Sequence, residues 1–276
     1  METVRIFACT IKRYKRLKID GYETLHIGSA LTEENFGDGY IADFNGINIS
    51  KKQPYYCELS GLYWIWKNVN DAEIVGLCHY RRSFVVNKYT FFKPHIVNKE
   101  DAITILNEYD IIVPKKLHKN INNGWTIESS FKNDWYINLL LDVVSDLESQ
   151  YVEALRSVFN ADKMSFQNLI ITKKYTINNY CAWLFKILFE FENRLIAISK
   201  LESRNVGYAA EWLFNAWLIV NPDSLKIRYM DVLKIDEKRG AVFYLKVILA
   251  KLGILDILIN LKNKRKMKRE GIEILK

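Results

Sequence analysis

Apolar residues fall along this chain in two rhythms. Short, predominantly apolar runs at 4–10, 25–31, 73–80, 110–114 and 168–172 read as strands. Between them, near 54–69, 100–108, 130–158, 176–200 and 208–220, apolar residues recur three and four apart and read as helices. A strand that is apolar at every position is one covered on both faces. The alternation therefore predicts an α/β fold with a mainly parallel central sheet flanked by helices. No internal repeat and no Pro/Gly-rich linker divides the pattern, and only four prolines occur. The reading is a single domain over 1–240 with an appendage over 241–276.

Two helical stretches carry further signals. In 54–69, Ser50 and Gln53 have capping-box spacing and Pro54 falls in the first turn, where its missing N–H costs little. Leu59, Leu62, Tyr63 and Trp66 then form one apolar face, leaving Glu58, Trp64 and Lys67 elsewhere on the helix. The appendage differs. Residues 243–261 (FYLKVILAKLGILDILINL) are apolar around most of a helical wheel, with Lys246, Asp256, Asn260 and Lys264 near one side and Lys251 breaking the apolar side. Next comes KNKRKMKR at 262–269, with six cations in eight positions. An amphipathic apolar helix followed by a basic cluster is the composition of an in-plane membrane anchor. The plainer alternative is a terminal helix packed on the domain with a solvated basic end.

Charge sharpens this picture. The formal net charge is +8, of which residues 241–276 hold +6. Basicity belongs to the tail, whereas a nucleic-acid protein more often spreads it over the folded body. Four cysteines, Cys9, Cys57, Cys78 and Cys181, lack metal spacing and read as reduced, buried thiols. The opening METVRIFACT lacks the basic-then-apolar layout of a signal peptide, and no run is long and uncharged enough to cross a bilayer. These features predict a cytoplasmic protein.

Three stretches hold candidate chemistry. Residues 42–68 crowd Asp43, Asn45, Asn48, Ser50, Glu58 and Lys67 among Tyr and Trp residues, the mixture that reads sugars by stacking and hydrogen bonding. The same aromatics equally make a core helix. Residues 73–84 (EIVGLCHYRRSF) end a buried strand in His79-Tyr80-Arg81-Arg82. Ligands of open α/β sheets bind beyond the carboxyl ends of strands, where paired guanidinium groups can grip a diphosphate. The alternative is an Arg pair bridging surface carboxylates. Residues 205–218 place Glu211 on a helix whose buried face is Ala210, Leu213, Phe214 and Trp217, following a turn at Gly207. It reads as a general base or as a first-turn acid favoured by the helix dipole. His26, His79, His95 and His118 show no metal spacing. There is no Gly-rich phosphate loop, and Asp38 and Asp43 do not form an Asp-x-Asp.

Together these stretches resemble a family of small glycosyltransferases of bacterial capsule and O-antigen gene clusters, long known only as a domain of unknown function. The matching residues are Thr10, Lys12, Gly28, Asp43, Gly46 and Asn48-Ile49-Ser50. The strongest block is Tyr56-Cys57-Glu58-Leu59 with Tyr63-Trp64-Ile65-Trp66-Lys67-Asn68, followed by Gly76-Leu77, His79-Tyr80-Arg81-Arg82 and Phe84. Asp110-Ile111-Ile112, Pro114, Asn168, Tyr180, Trp183-Leu184-Phe185, Glu211 and Leu213 complete a likeness over roughly 4–230. Ile47, Gln53 and the absence of a His around 131–139 depart from the family pattern.

The resemblance implies a GT-A-like domain and a nucleotide-activated donor, usually a UDP-sugar. It also implies a lipid-linked glycan acceptor, undecaprenyl-linked in such clusters, and some relatives look like galactofuranosyltransferases. It implies Glu211, Arg81, Arg82 and His79 as catalytic residues, with the arginines replacing the usual metal and Glu211 acting as base with inversion. Thr10, Lys12, Asp43, Asn48, Ser50, Glu58, Tyr63, Lys67 and Asn168 are implied as donor-binding. No cofactor is required on this reading, a divalent metal being the less favoured alternative, and the protein works peripherally at the inner face of the cell membrane. Two rivals stand beside it: a non-catalytic membrane-docking scaffold of a polysaccharide assembly complex, and an RNA-binding protein using the basic tail.

Overall fold

The computed structural model describes residues 2–34, 36–88, 90, 94–119, 134–221, 225–235, 241–254, 257–258 and 261. Its centre is an eight-stranded sheet. Strands β1 (Val4–Thr10), β2 (Tyr22–His26), β3 (Tyr40–Ala42) and β4 (Ile74–His79) run parallel in the order β3-β2-β1-β4. Beyond β4 the sheet turns mixed. β5 (Arg82–Val85) folds back from β4 as a tight hairpin, and β9 (Ile170–Lys173) pairs antiparallel with both β4 and β6 (Ile111–Pro114). β10 (Ile227–Lys234) pairs antiparallel with β5 and parallel with β6. The expected mainly parallel sheet is thus corrected to a mixed one: runs at 73–80, 110–114 and 168–172 are strands, but sequence periodicity carries no direction. A minor two-stranded ribbon joins β7 (Leu117–His118) to β8 (Lys163–Met164).

The apolar runs are continuous because both faces are covered. Along β1, Ile6 enters a core beneath α3 (Lys99–Glu108) with Ala102 and Leu106, while Phe7 and Cys9 enter the larger core on the opposite face. That larger core is built by α2 (Leu59–Asn68), α4 (Asp134–Glu148), α5 (Val152–Asn160), α6 (Lys174–Ala197) and α7 (Asn205–Val220). α3 begins with a capping box in which Asn98 and Asp101 exchange side-chain and backbone hydrogen bonds.

Several boundaries move. The run 25–31 divides into the end of β2 and a 3-10 turn, Ser29–Leu31, entered through Gly28 at φ 68°. The stretch 130–158 yields two helices, α4 and α5, about the 3-10 turn Ser149–Tyr151; residues 130–133 lie outside the described residues. The helix expected over 54–69 is broken at Cys57, whose φ of 54° ends α1 (Gln53–Tyr56) before α2 begins. The Ser50/Gln53 capping box does not form. The Ser50 hydroxyl donates instead to Asp43 at 2.5 Å and accepts from the Ala30 N–H at 3.0 Å. α8 (Ala241–Lys251) follows the sheet, and the basic run 262–269 lies outside the described residues.

Candidate active site

Cys9 of β1 lies opposite His79 of β4, so the two strands release their chains at one place on the carboxyl edge of the sheet. The β4–β5 hairpin turns there, pairing His79 with Arg82 and holding Tyr80 and Arg81 at its tip. The Tyr80 N–H donates to the Cys9 carbonyl at 3.0 Å, which ties the hairpin to β1. The Arg81 N–H donates to His79 Nδ1 at 3.2 Å, so a neutral His79 carries its proton on Nε2. Facing this hairpin are the broken α1–α2 junction, the loop 167–169 and the beginning of α7. The cleft between them has a volume of about 660 Å³.

α7 starts earlier than periodicity predicts, at Asn205, and this changes the meaning of Glu211. That residue now sits in the second turn, so a favourable interaction of a first-turn acid with the helix dipole does not account for it. The helix is seated by Gly207. A Cβ there would stand 3.1 Å from the Cys57 sulfur and 3.4 Å from the Tyr56 carbonyl oxygen, so the missing side chain lets α7 close tightly on the α1–α2 junction. This contact brings Glu211 into one cavity with Glu58. Glu211 is only 7 % exposed and accepts a hydrogen bond from the Gln167 N–H at 2.7 Å. Glu58 accepts from the Asn168 amide at 3.0 Å.

Two carboxylates held this way repel each other's charge. The Glu211 carboxyl is pushed up to about 8, first by burial and then by the negative charge of Glu58. The Gln167 N–H, Arg204 and Arg82 pull it in the opposite direction without cancelling the effect. Burial likewise raises Glu58, against the Asn168 amide, Arg204 and Arg82. Three guanidinium groups, those of Arg81, Arg82 and Arg204, line the same cleft. The arrangement joins an anion-gripping wall to a buried carboxyl that titrates near neutral pH.

Of the residues read as functional in the sequence, Thr10, Glu58, His79, Arg81, Arg82 and Glu211 line the cleft. Thr10 is buried, and its hydroxyl closes the turn after β1 by donating to the Lys12 carbonyl at 2.6 Å. Lys12 is exposed, its ammonium 6.0 Å from the centre of the Tyr80 ring. Asn168 stands behind Glu58, its amide also 3.3 Å from the Gly207 carbonyl.

The rest have other work. Asp43 is fully buried and accepts from the Gly28 and Ser29 N–H groups and from the Ser29 and Ser50 hydroxyls, so it and Ser50 knit loops together. Asn48 closes its own loop, donating to the Phe44 and Gly46 carbonyls and accepting from the Ser50 N–H. Tyr63 packs edge-on against Trp66, Phe185 and Phe189, and Lys67 lies 3.4 Å from the centre of the Trp66 ring. Each of these five was expected to bind the donor. Their side chains are committed to loop closure or aromatic packing, and none lines the cleft.

Sequence reasoning missed Arg204, Tyr208 and Gln167, and saw Gln53 as a helix cap and a departure from the family pattern but not as a cleft residue. Arg204 precedes α7 in the left-handed region at φ 68°, anchored by its N–H on the Pro54 carbonyl at 2.8 Å. A lone arginine in a polar loop has no periodic signal, and only the closure of α7 on Pro54 carries it to the cleft.

The class that this fold and cleft define is an α/β protein with glycosyltransferase-like architecture. Residues 5–222 match the family described as Domain of unknown function (DUF4422), and the chain belongs to that family. No curated protein matches it. The solved apo structure of the WbbM bifunctional glycosyltransferase is similar, with a TM-score of 0.71 and 26 % identity, over 85 % of this chain and 46 % of that one. The chain thus spans about half the length of that enzyme.

Proposed function

We propose that this chain is a glycosyltransferase that moves a hexosyl group, galactofuranosyl or galactosyl, from a UDP-sugar to a lipid-linked glycan acceptor of capsule or O-antigen synthesis, with inversion. The observation that carries the reading is the meeting, in one cleft, of three arginines with a buried glutamate raised toward neutral pH. Similarity to WbbM supports it. In this scheme the uridine lies toward Thr10, Ile11, Ile27 and Pro54, with the Gln53 amide able to pair with an imide edge. Arg81, Arg82 and Arg204 hold the diphosphate, and His79 donates from Nε2 to a donor oxygen. The acceptor hydroxyl oxygen attacks the anomeric carbon. The bond from that carbon to the phosphate oxygen breaks, UDP leaves with the electron pair, and the hydroxyl proton passes to Glu211.

GT-A-like folds often employ a divalent cation. Among the described residues no three His, Cys, Asp or Glu side chains gather as ligands would, and the two carboxylates of the cleft stand among three guanidinium groups. Those groups suit an anion, and in the proposal they offset the charge developing on the leaving diphosphate. The test is a panel of UDP-sugars, UDP-galactofuranose included, scored by thermal shift and donor hydrolysis. At least one UDP-sugar is expected to raise the melting temperature with a chelator present. No protection by UDP or any UDP-sugar would refute the enzymatic reading, and protection that vanishes with the chelator would refute the role given to the arginines.

The same proposal places the protein peripherally on the inner face of the cell membrane. No helix among the described residues is long and apolar enough to cross a bilayer. Yet Tyr244, Leu245, Ile248, Leu252, Ile254, Ile257, Leu258 and Leu261 are all exposed, an apolar set that precedes the six cations of 262–269 in sequence and would suit a lipid surface. Flotation with vesicles containing anionic lipid is expected for the full chain and lost on truncation at residue 240. Each cation near the surface contributes about 1 kcal/mol, so binding should weaken as salt rises. Equal flotation of the truncated chain would overturn this placement.

A further inference from the structure

Left-handed backbone is uncommon outside glycine, asparagine being among the residues that tolerate it best, and this chain concentrates it at one place. Five non-glycine residues of the described chain have positive φ: Cys57, Gln167, Asn168, Ser199 and Arg204. Three of them, Cys57, Gln167 and Arg204, line the cleft. Asn168 stands directly behind it, hydrogen-bonded to Glu58. Gln167 and Asn168 are consecutive, at φ 83° and 48°.

This pair brackets both carboxylates. The backbone N–H of Gln167 donates to Glu211 at 2.7 Å, and the next residue's amide donates to Glu58 at 3.0 Å. Relaxing either φ would swing one donor away from its carboxylate. The segment is held in this conformation from both ends. Upstream, the Ser165 N–H donates to Asn215 Oδ1 at 2.9 Å, the Asn215 amide returns a bond to the Ser165 carbonyl at 2.8 Å, and the Ser165 hydroxyl donates to the Pro114 carbonyl at 2.6 Å. Asn215 is one helical turn beyond Glu211, so α7 clamps the segment at two successive turns. Downstream, β9 is fixed between β4 and β6. The surrounding structure over-determines the strained pair, as it must if strain is to persist.

We infer that Asn168 is a positioning residue: its left-handed backbone and its amide hold the Glu58 carboxylate in place beside Glu211, so that the proton released by the acceptor is taken by Glu211 and not by its neighbour. The inference rests on the glycosyl-transfer reading above and assigns the two carboxylates different roles within it. Without the amide, one of the groups that hold Glu58 down is lost, so Glu58 is harder to ionise and its charge raises Glu211 less. The other titratable and charged groups facing this pair are Cys9 from β1, Arg81, Arg82 and His79 from the β4–β5 hairpin, Cys57 from the α1–α2 junction, and Arg204 and Tyr208 at the start of α7.

The test uses the full chain. Asn168→Gly removes the amide yet accepts the backbone conformation, so it should fold. The acid limb of its kcat/KM profile is expected to move to lower pH by about one unit. Its kcat should fall about tenfold, the scale of one hydrogen bond to a charged group. UDP affinity, measured by calorimetry, should stay unchanged. Glu58→Gln should move the limb in the same direction, and the double variant no further than the larger single shift, since both act on one coupling. Asn168→Ala, which loses the amide but keeps the strain, should repeat the limb shift with a lower melting temperature. A limb that stays put in Asn168→Gly, or a loss of UDP affinity matching the loss of activity, would overturn the inference. Full activity of Glu211→Gln would instead overturn the reading beneath it, so the two failures are distinguishable.

Discussion

Replacing Glu211 with Gln is expected to lower kcat/KM for glycosyl transfer by about a hundred- to ten-thousandfold while leaving the fold and UDP binding in place. Gln is close in size and keeps an oxygen to accept the Gln167 N–H, so the segment 165–168 retains its anchor. What disappears is the only function assigned to the carboxylate, acceptance of the acceptor's proton. The parent's kcat/KM should rise through an acid limb near pH 8, because Glu211 in the free enzyme is raised to about 8 and must be ionised to act. The same shift has a consequence for stability, opposite in sense to the usual effect of a paired carboxylate. In the folded state Glu211 holds its proton to about pH 8, while an unfolded glutamate releases it near its ordinary value of 4.5. Between these limits the folded chain binds more protons than the unfolded one. This contribution to stability is therefore full below pH 4.5 and is lost as pH rises through 8, at up to about 1.4 kcal/mol per pH unit. Glu211→Gln removes that dependence. Relative to the parent, the variant should melt higher at pH 8.5 than it does at pH 5, while showing almost no transfer at either. Retained transfer, or a parent and variant with parallel pH–stability curves, would show that Glu211 is neither the base nor a raised group.

How much of this was legible in the sequence follows from what each residue's surroundings contribute. β1, β4, β6 and β9 were readable because each is largely buried on both faces, which writes a mostly apolar run into the chain. β10 was not, since IRYMDVLK is mostly exposed or half-exposed and looks like any polar segment. β3 is three residues long and leaves no pattern. Within the site, Arg81 and Arg82 were readable because they directly follow a buried strand, and the end of such a strand is a place of known geometry. Glu211 was readable as a carboxylate on an apolar helix, but its meaning needed the true helix start and the contact between Gly207 and Cys57. The place of Asp43 was not legible, because a carboxylate among aromatics looks the same whether it faces a sugar or four donors from its own chain. Arg204 and the Gln167–Asn168 bracket owe everything to tertiary closure. Strain of that kind is imposed by packing and has no counterpart in residue spacing.

Arg82→Ala is expected to weaken UDP-sugar binding by about ten- to a hundredfold, the loss of one charge-assisted, two-pronged contact to phosphate. Arg204→Ala should do the same, although nothing in the sequence marks that residue. Lysine at either position should restore only part of the affinity, because an ammonium supplies charge without the planar fork. These substitutions also act at a distance from the phosphates. Arg82 and Arg204 both hold down Glu58 and Glu211, so deleting either cation leaves the carboxyl pair harder to ionise. The acid limb of kcat/KM should then move to higher pH, in the direction opposite to that expected for Asn168→Gly. A merely structural defect lowers activity at every pH alike, whereas here the limb must travel one way when a cation is lost and the other way when the Glu58 charge is lost. Calorimetry with UDP, combined with pH–rate profiles of the three variants, measures both effects. Undiminished UDP affinity in Arg82→Ala and Arg204→Ala would remove the diphosphate from this wall of the cleft, and with it the reason for supposing that an activated sugar is presented to Glu211.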